Sequence, residues 1–254
     1  MKIKILGCSG GIGASRRTTC LLLGEDTLVD CGTGAGELDL AAMKRIDRIF
    51  LTHSHLDHVA LLPMLADSAG NFRDAPLTVH ALPETIDILK SGLFNGLIWP
   101  DYTVLPSPGH PYVRFSEIAV GQSVPVEGGR VTALPARHSV PAVGYLFDSG
   151  SGAFAFSGDT TYCEAFWDAL AAASGLEYLL IEATFLDSAR ERAKISGHMT
   201  PSLLAEGFRR LGGKAKRLIS HLEAGMEDRS MAEILALAGE FSPMQAENGQ
   251  VFEF

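Results

Sequence analysis

The chain has 254 residues, a length that fits one large domain or two small ones. Hydrophobic residues make up 46% and charged residues 20%, ordinary globular usage that excludes collagen-like, disordered and disulfide-scaffold classes. With 21 Lys+Arg against 30 Asp+Glu, the net charge of −9 argues against a broad, sequence-independent hold on nucleic acid, which needs a basic face; a local basic patch stays compatible with it. Cys8, Cys20, Cys31 and Cys163 are widely spaced with no C-x-x-C, and are expected to be reduced thiols of a cytosolic protein, packed rather than reactive. The start, MKIKILGCSGG, is too short in apolar residues for a signal peptide, and no apolar run reaches membrane-spanning length. A soluble, cytoplasmic protein with no membrane partner is the expectation.

Apolar periodicity predicts a β-rich beginning. Ile3–Leu6, Thr19–Leu23 and Thr27–Val29 are short runs parted by glycine-bearing turns, the mark of a strand meander. Arg48–Leu51 is a further strand that runs into a polar cluster. From Asp57 to about Leu65 the spacing of Val59, Leu62 and Leu65 predicts a helix. Leu77–Ala81 reads as a strand, and Pro83 with Glu84 opens a helix. Residues 95–112 hold four of the twelve prolines and should form an irregular lobe. Strands follow at Val131–Ala133, Val143–Phe147 and Ala153–Phe156, the last two joined by a turn over Asp148–Gly152. A helix over Glu164–Ala172, a strand at Tyr178–Ile181, a helix from Pro201 to Arg210, a strand at Arg217–Ile219 and a helix over Arg229–Ala238 complete the chain. No low-complexity linker or sequence repeat interrupts it, so a single domain over 1–254 is expected.

Thr52-His53-Ser54-His55-Leu56-Asp57-His58 carries the strongest chemical signal. In an extended segment, positions i and i+2 point the same way, so His53 and His55 can reach one metal together. The chain then enters a helix, which aims Asp57 and His58 elsewhere, towards a second metal close by. Neutral imidazoles and a carboxylate suit a borderline Lewis acid such as Zn²⁺. Three surface histidines in a loop is the plainer reading, and the density and placement of the cluster count against it. More ligands must come from other loops at the same sheet edge. His138, Asp159 and His221 each follow a predicted strand, where polar groups of separate loops converge. Any one alone would pass for an ordinary loop residue; their repeated position makes them informative.

His-x-His-x-Asp-His followed by His, Asp and His at strand ends resembles the metallo-β-lactamase superfamily. The resemblance spans nearly the whole chain and includes Asp30-Cys-Gly-Thr-Gly34, similar to that family's early Asp-x-Gly turn. It implies an α/β fold, the four-layer αββα sandwich, with a dinuclear site between two sheets. Carried over by position, it implies that His53, His55 and His138 hold one metal, that Asp57, His58 and His221 hold the other, and that Asp159 bridges them. Two divalent ions are implied, zinc foremost, with manganese or iron as alternatives. Leu61 departs from the glycine that many members place after the motif. Ile181-Glu-Ala-Thr-Phe185 and Gly197-His-Met-Thr-Pro201 resemble the phosphodiesterase branch, shared by tRNase Z and class II cyclic-nucleotide phosphodiesterases. Leu93-Phe-Asn-Gly-Leu-Ile-Trp-Pro100 leans towards the latter.

This implies hydrolysis of a phosphodiester, foremost a 3′,5′-cyclic nucleotide. Two metals about 3.5–4 Å apart can share a hydroxide and clamp the phosphate, while Asp57 helps to orient that hydroxide. His198 is the candidate proton donor to the leaving group, with Glu182 orienting it. A tRNase Z-like endoribonuclease is the alternative. That group usually carries a protruding arm between the ligands corresponding to His138 and Asp159, which here lie 21 positions apart, room for a hairpin only. A small-molecule phosphodiester is therefore the expected partner, and nucleic acid is not. A β-lactam or lactone hydrolase would not need the Glu182/His198 pair, and a binding module would not keep every ligand type. Relatives of this kind are often dimers, so a homodimer is compatible, although no interface shows in the sequence. His80, inside a strand, and His110, in a loop, read as structural or solvated. Gly7, Gly10, Gly11 and Gly13 read as a tight turn between strands rather than a phosphate loop. Arg16 and Arg17 read as a solvated pair. Phe94 and Trp99 read either as stackers on a base or as buried packing.

Overall fold

In the computed structural model, residues 1–213 and 215–254 are described. The first half runs β1 (Lys2–Gly7), β2 (Cys20–Leu23), β3 (Thr27–Val29), α1 (Leu40–Arg45), β4 (Arg48–Phe50), α2 (Leu56–Val59), α3 (Leu62–Gly70), β5 (Leu77–Ala81) and α4 (Pro83–Gly92). A small hairpin, β6 (Pro106–Ser107) and β7 (His110–Pro111), lies within the proline-rich segment. The second half runs β8 (Val113–Glu117), β9 (Ser123–Val126), β10 (Gly129–Pro135), β11 (Val143–Asp148), β12 (Ala153–Phe156), α5 (Glu164–Ala172), β13 (Leu176–Glu182), α6 (Arg190–Ser196), α7 (Pro201–Leu211), β14 (Lys216–Ser220), α8 (Glu227–Ala238), β15 (Met244–Gln245) and β16 (Val251–Glu253).

Two seven-stranded sheets result, in the orders β16-β1-β2-β3-β4-β5-β8 and β15-β14-β13-β12-β11-β10-β9. Strand alternation assigns their faces, because successive side chains point to opposite sides. Phe50 and Val29 enter the core between the sheets while their neighbours Ile49 and Leu28 enter an outer core. In the other sheet Leu180 and Leu218 face inward and Leu179, Ile181 and Ile219 outward. Leu62, Leu65, Ile86 and Leu89 of α3 and α4 cover the first outer face. Phe166, Trp167, Leu204, Phe208 and Ile234 of α5, α7 and α8 cover the second. Helix, sheet, sheet and helix make the αββα sandwich that the motif order implies. Fully burying one such side chain contributes about 1.5–3 kcal/mol.

Strand direction sets up the functional edge. β3, β4, β5 and β8 are mutually parallel. β10 and β12 are both antiparallel to β11, and β12, β13 and β14 are parallel. The carboxyl ends of β10, β12, β13 and β14 therefore share one edge, as those of β3 and β4 do in the other sheet.

The expected helix over Asp57–Leu65 is instead two helices, broken at Ala60 and Leu61. Backbone bonds from the turn after β3 cause the break. Cys31 N donates to His58 O at 2.7 Å and Leu61 N donates to Cys31 O at 2.9 Å, displacing the helical partners of both groups. Pro63 then opens α3, where its missing N–H costs nothing. Leu61, at the position where many family members carry glycine, packs against the first outer core. Apolar periodicity does not predict α1, α6, β8, β9, β15 or β16, nor the β6–β7 hairpin within the segment expected to be irregular. β9 carries Pro125 at the sheet edge, and α6 buries only Ala193, so neither shows an apolar period. The remaining predicted strands and helices lie within a few residues of their expected bounds. Among the described residues, no helix is long and apolar enough to cross a membrane. All four cysteines are free, with Cys20 and Cys31 buried.

α7 packs against α5 at Gly207, where an added Cβ would lie 2.0 Å from Cζ2 of the fully buried Trp167. Helix propensity alone favours alanine over glycine by about 1 kcal/mol. The clash reverses that sign: Gly207→Ala is expected to lose about 1–3 kcal/mol. Urea unfolding of the two proteins measures the difference.

Candidate metal centre

Each predicted site residue occupies the edge where the strands end. His53 and His55 follow β4 in extended backbone, and the short turn of α2 swings Asp57 and His58 round from them. His138 follows β10, Asp159 follows β12, Glu182 ends β13, and His221 follows β14. His198 stands between α6 and α7, after Gly197, whose φ of 75° lets the chain turn back. An added Cβ at Gly197 would also strike the His138 backbone, 2.9 Å away.

The structure gathers these side chains into three groups of ligand atoms, each within 4.8 Å: His53, His55, His138 and Asp159; Asp57, His58, His221 and Asp159; and Glu182, His198 and His221. Asp159 belongs to the first two. Its Oδ1 lies 3.3 Å from His58 Nε2, and its Oδ2 lies 3.3 Å from His221 Nε2, 3.8 Å from His53 Nε2 and 3.9 Å from His138 Nε2. His138 Nε2 faces His55 Nδ1 at 3.1 Å, and His221 Nε2 faces Asp57 Oδ2 at 3.1 Å. The Nε2 atoms of His53 and His58 are buried with no hydrogen-bond partner among the described residues. Buried polar atoms are rarely left so. Converging imidazole nitrogens with no partner, ringed by carboxylates, fit divalent cations, so these residues suit the metals that the motif implies.

Hydrogen bonds behind the cluster decide which nitrogens face it. Asp30 Oδ2 accepts from His58 Nδ1 at 2.7 Å. The Thr52 hydroxyl donates to Asp30 and accepts from His53 Nδ1 at 3.0 Å. His138 Nδ1 donates to Gly197 O at 3.0 Å. Nε2 is thereby the atom turned to the cluster on all three rings, the arrangement in which an outer carboxylate or carbonyl orients a metal-binding histidine. Ligand types and their spacing do not single out Asp30 and Thr52 as orienting partners, although the Asp30–Gly34 turn and the residue before His53 hold their signal. Asp30 and His221 both adopt left-handed backbone, with φ of 58° and 55°. Such residues cost of order 1–3 kcal/mol and persist only where surroundings dictate them. Asp30 N donates to Phe50 O, and His221 N donates to Cys8 O at 2.7 Å.

That last bond corrects the reading of the early glycines. Residues 8–19 are not a tight turn but a long loop laid against the His221 segment, bridged at Ser9 and Leu222. At Gly10 a Cβ would sit 2.9 Å from His221 O. Arg16 and Arg17 are not merely solvated, since they pair with Glu227 and Glu37. Behind this loop a cavity of about 490 Å³, bordered by Arg16, Glu227 and Asn248, contains none of the clustered ligands. Phe94 is buried in the first outer core and Trp99 packs against it, so the packing reading holds for both. His80 is buried and stacked on Phe50, and His110 is exposed.

Electrostatics follow from crowding. Burial pushes against the charged form of Asp159, yet His221, His58 and His53 hold its carboxyl well below the usual range. Burial likewise opposes ionisation of Asp57, and His221 and His58 still bring it to about 2. Burial lowers His53 and His138. For His198, burial favours the neutral ring, but Glu182 at 2.8 Å, with Asp159 and Asp57 beyond, raises it to about 9. His198 Nδ1 is 4.0 Å from Asp159 Oδ2, so this pair borders the cluster.

A family model described as the Beta-lactamase superfamily domain matches residues 26–221. A Ribonuclease Z of Bradyrhizobium diazoefficiens is 26% identical over 95% of this chain and 95% of its own. A probable 3′,5′-cyclic-nucleotide phosphodiesterase of Yersinia pestis is 28% identical over 82% of this chain and 65% of its own. The crystal structure of unliganded yeast PDE1 superposes over 100% of this chain and 99% of its own, with a TM-score of 0.81 at 18% identity. Several relatives being Ribonuclease Z, the expectation against a nucleic-acid partner finds no support in them.

Asp30→Ala would leave His58 Nδ1 and the Thr52 hydroxyl without their buried acceptor. Loss of such an outer partner typically costs about 10–100-fold in metal affinity. Competition titration of zinc into the metal-free variant, with folding checked by circular dichroism, is expected to show a drop of that size.

Proposed function

The chain belongs to the beta-lactamase superfamily, and on that premise we propose that it is a metal-dependent phosphodiesterase acting on a small 3′,5′-cyclic nucleotide. The observation that carries this reading is Asp159, one buried carboxylate shared by two ligand groups, with His198 and Glu182 alongside. Zinc suits a donor set of imidazoles and carboxylates without thiolate, and manganese or iron are the alternatives. Bound there, two cations would supply a nucleophile from water and charge neutralisation on the phosphate.

The chain's own residues supply the rest. His53, His55 and His138 would hold one ion and Asp57, His58 and His221 the other, with Asp159 available to both. Asp57 also accepts a hydrogen bond from the attacking water and orients it. His198 is protonated at neutral pH and gives its proton, from Nε2, to the departing oxygen. Glu182 keeps that ring oriented and charged through Nδ1. A cyclic diester has its leaving oxygen tethered to the product, so a donor fixed on one side of the phosphate is in reach. The compact hairpin of β11 and β12, closed by the Asp148–Gly152 turn, occupies the stretch where tRNase Z-type enzymes usually carry their arm. The net charge of −9 adds to this support. A precursor RNA is the second reading, favoured by Ribonuclease Z relatives that align over nearly the whole chain.

Zinc-loaded protein assayed against cyclic AMP, cyclic GMP, a chromogenic bis-aryl phosphodiester and precursor tRNA tests the substrate. Turnover of a cyclic nucleotide is expected; cleavage of precursor tRNA alone would promote the second reading. His198→Ala is expected to keep its zinc and lose roughly 10²–10⁴ in kcat. Full activity in that variant with unchanged metal content removes the proton-donor role.

A further inference from the structure

Thr184 lies between the metal cluster and the His198 pair, and its hydroxyl touches both. Oγ1 is 2.7 Å from Glu182 Oε2, 3.0 Å from His221 Nδ1 and 3.1 Å from His198 Nδ1. Glu182 is fully buried and also accepts from the backbone N–H groups of Thr160, Thr184 and Met199. A hydroxyl has one proton and two lone pairs. The carboxylate can only accept, so the hydroxyl proton goes to Glu182. Both lone pairs then remain for the two rings, and each imidazole must donate from Nδ1.

We propose that Thr184 is a positioning residue that ties metal ligation by His221 to proton donation by His198 through the carboxylate they share. With Nδ1–H engaged, His221 has a bare Nε2, the atom that faces Asp57 and Asp159 at 3.1 and 3.3 Å. His198 Nδ1–H divides between Glu182 Oε1 and Thr184, which leaves its Nε2 outside this pair. The same device stands on the other side of the centre. There the Thr52 hydroxyl donates to Asp30 and accepts from His53, while Asp30 takes His58 directly. Each buried carboxylate thus holds one histidine itself and a second through a threonine hydroxyl. Only on the Glu182 side does the linked pair join a ligand to the proton donor.

This inference rests on reading His221 as a ligand and His198 as the donor. It is tested with Thr184→Val, which keeps the shape and removes the hydroxyl, and Thr184→Ser, which restores it. Zinc titration of the metal-free proteins should show one of two binding steps weakened by about 10–100-fold in the valine variant. Steady-state kinetics at saturating zinc should show kcat reduced with KM unchanged. Thr184→Ser should recover both. Unchanged zinc binding in Thr184→Val overturns the tie to His221, and unchanged kcat at saturating zinc overturns the tie to His198. Ring-nitrogen NMR shifts of the native protein give a check that needs no variant. Protons at Nδ1 of His198 and His221 are expected, and an Nε2–H tautomer of zinc-loaded His221 overturns the proposal. Should the native protein cleave no phosphodiester, the titration and the shifts still decide the link to His221, so the two failures are distinguishable.

Discussion

One carboxylate, Asp159, is 2% exposed and faces four imidazoles. Taking a charge out of water is costly unless it is paired and hydrogen-bonded. This cluster therefore exists only because the sandwich delivers six other polar side chains to the same place. Those side chains come from both sheets, and neither sheet alone could assemble them. His53 to His58 arrive on the edge of one, and His138, Asp159 and His221 on the edge of the other. The inner core of Phe50, Tyr145, Phe147 and Phe156 fixes the sheets face to face and so sets where those edges meet.

Behind the ligands, the burial cost is met by a layer of backbone and hydroxyl donors. Asp30 and Glu182 are both fully buried, and each accepts from backbone N–H, threonine hydroxyl and histidine. Left-handed backbone at Asp30 and His221 is tolerated because tertiary bonds clamp both residues. The loop over residues 8–19 belongs to this layer, since Cys8 O holds the His221 backbone and Gly10 leaves no room for a side chain. Stability and chemistry are thus carried by the same bonds.

Function divides along the same lines. One scaffold can serve different substrates, and relatives named for RNA and for cyclic nucleotides both align with this chain. In the proposed reaction, the pair of His198 and Glu182 suits a leaving group that needs a proton, as an alkoxide does.

Much of this was legible in the amino-acid order. His53 to His58 sit in a short-range pattern whose geometry follows from extended backbone turning into helix, and apolar runs placed most strands before His138, Asp159 and His221. The partners Asp30, Thr52 and Thr184 were not, because a threonine or aspartate in a turn looks the same whether it faces water or an imidazole. The break between α2 and α3 was hidden for a related reason: Cys31, distant in sequence, takes the helical hydrogen-bond partners. Local periodicity determined the elements and the ligand types. Only tertiary packing decided which nitrogen each ring presents, since that depends on an acceptor that another segment of chain brings within 3 Å.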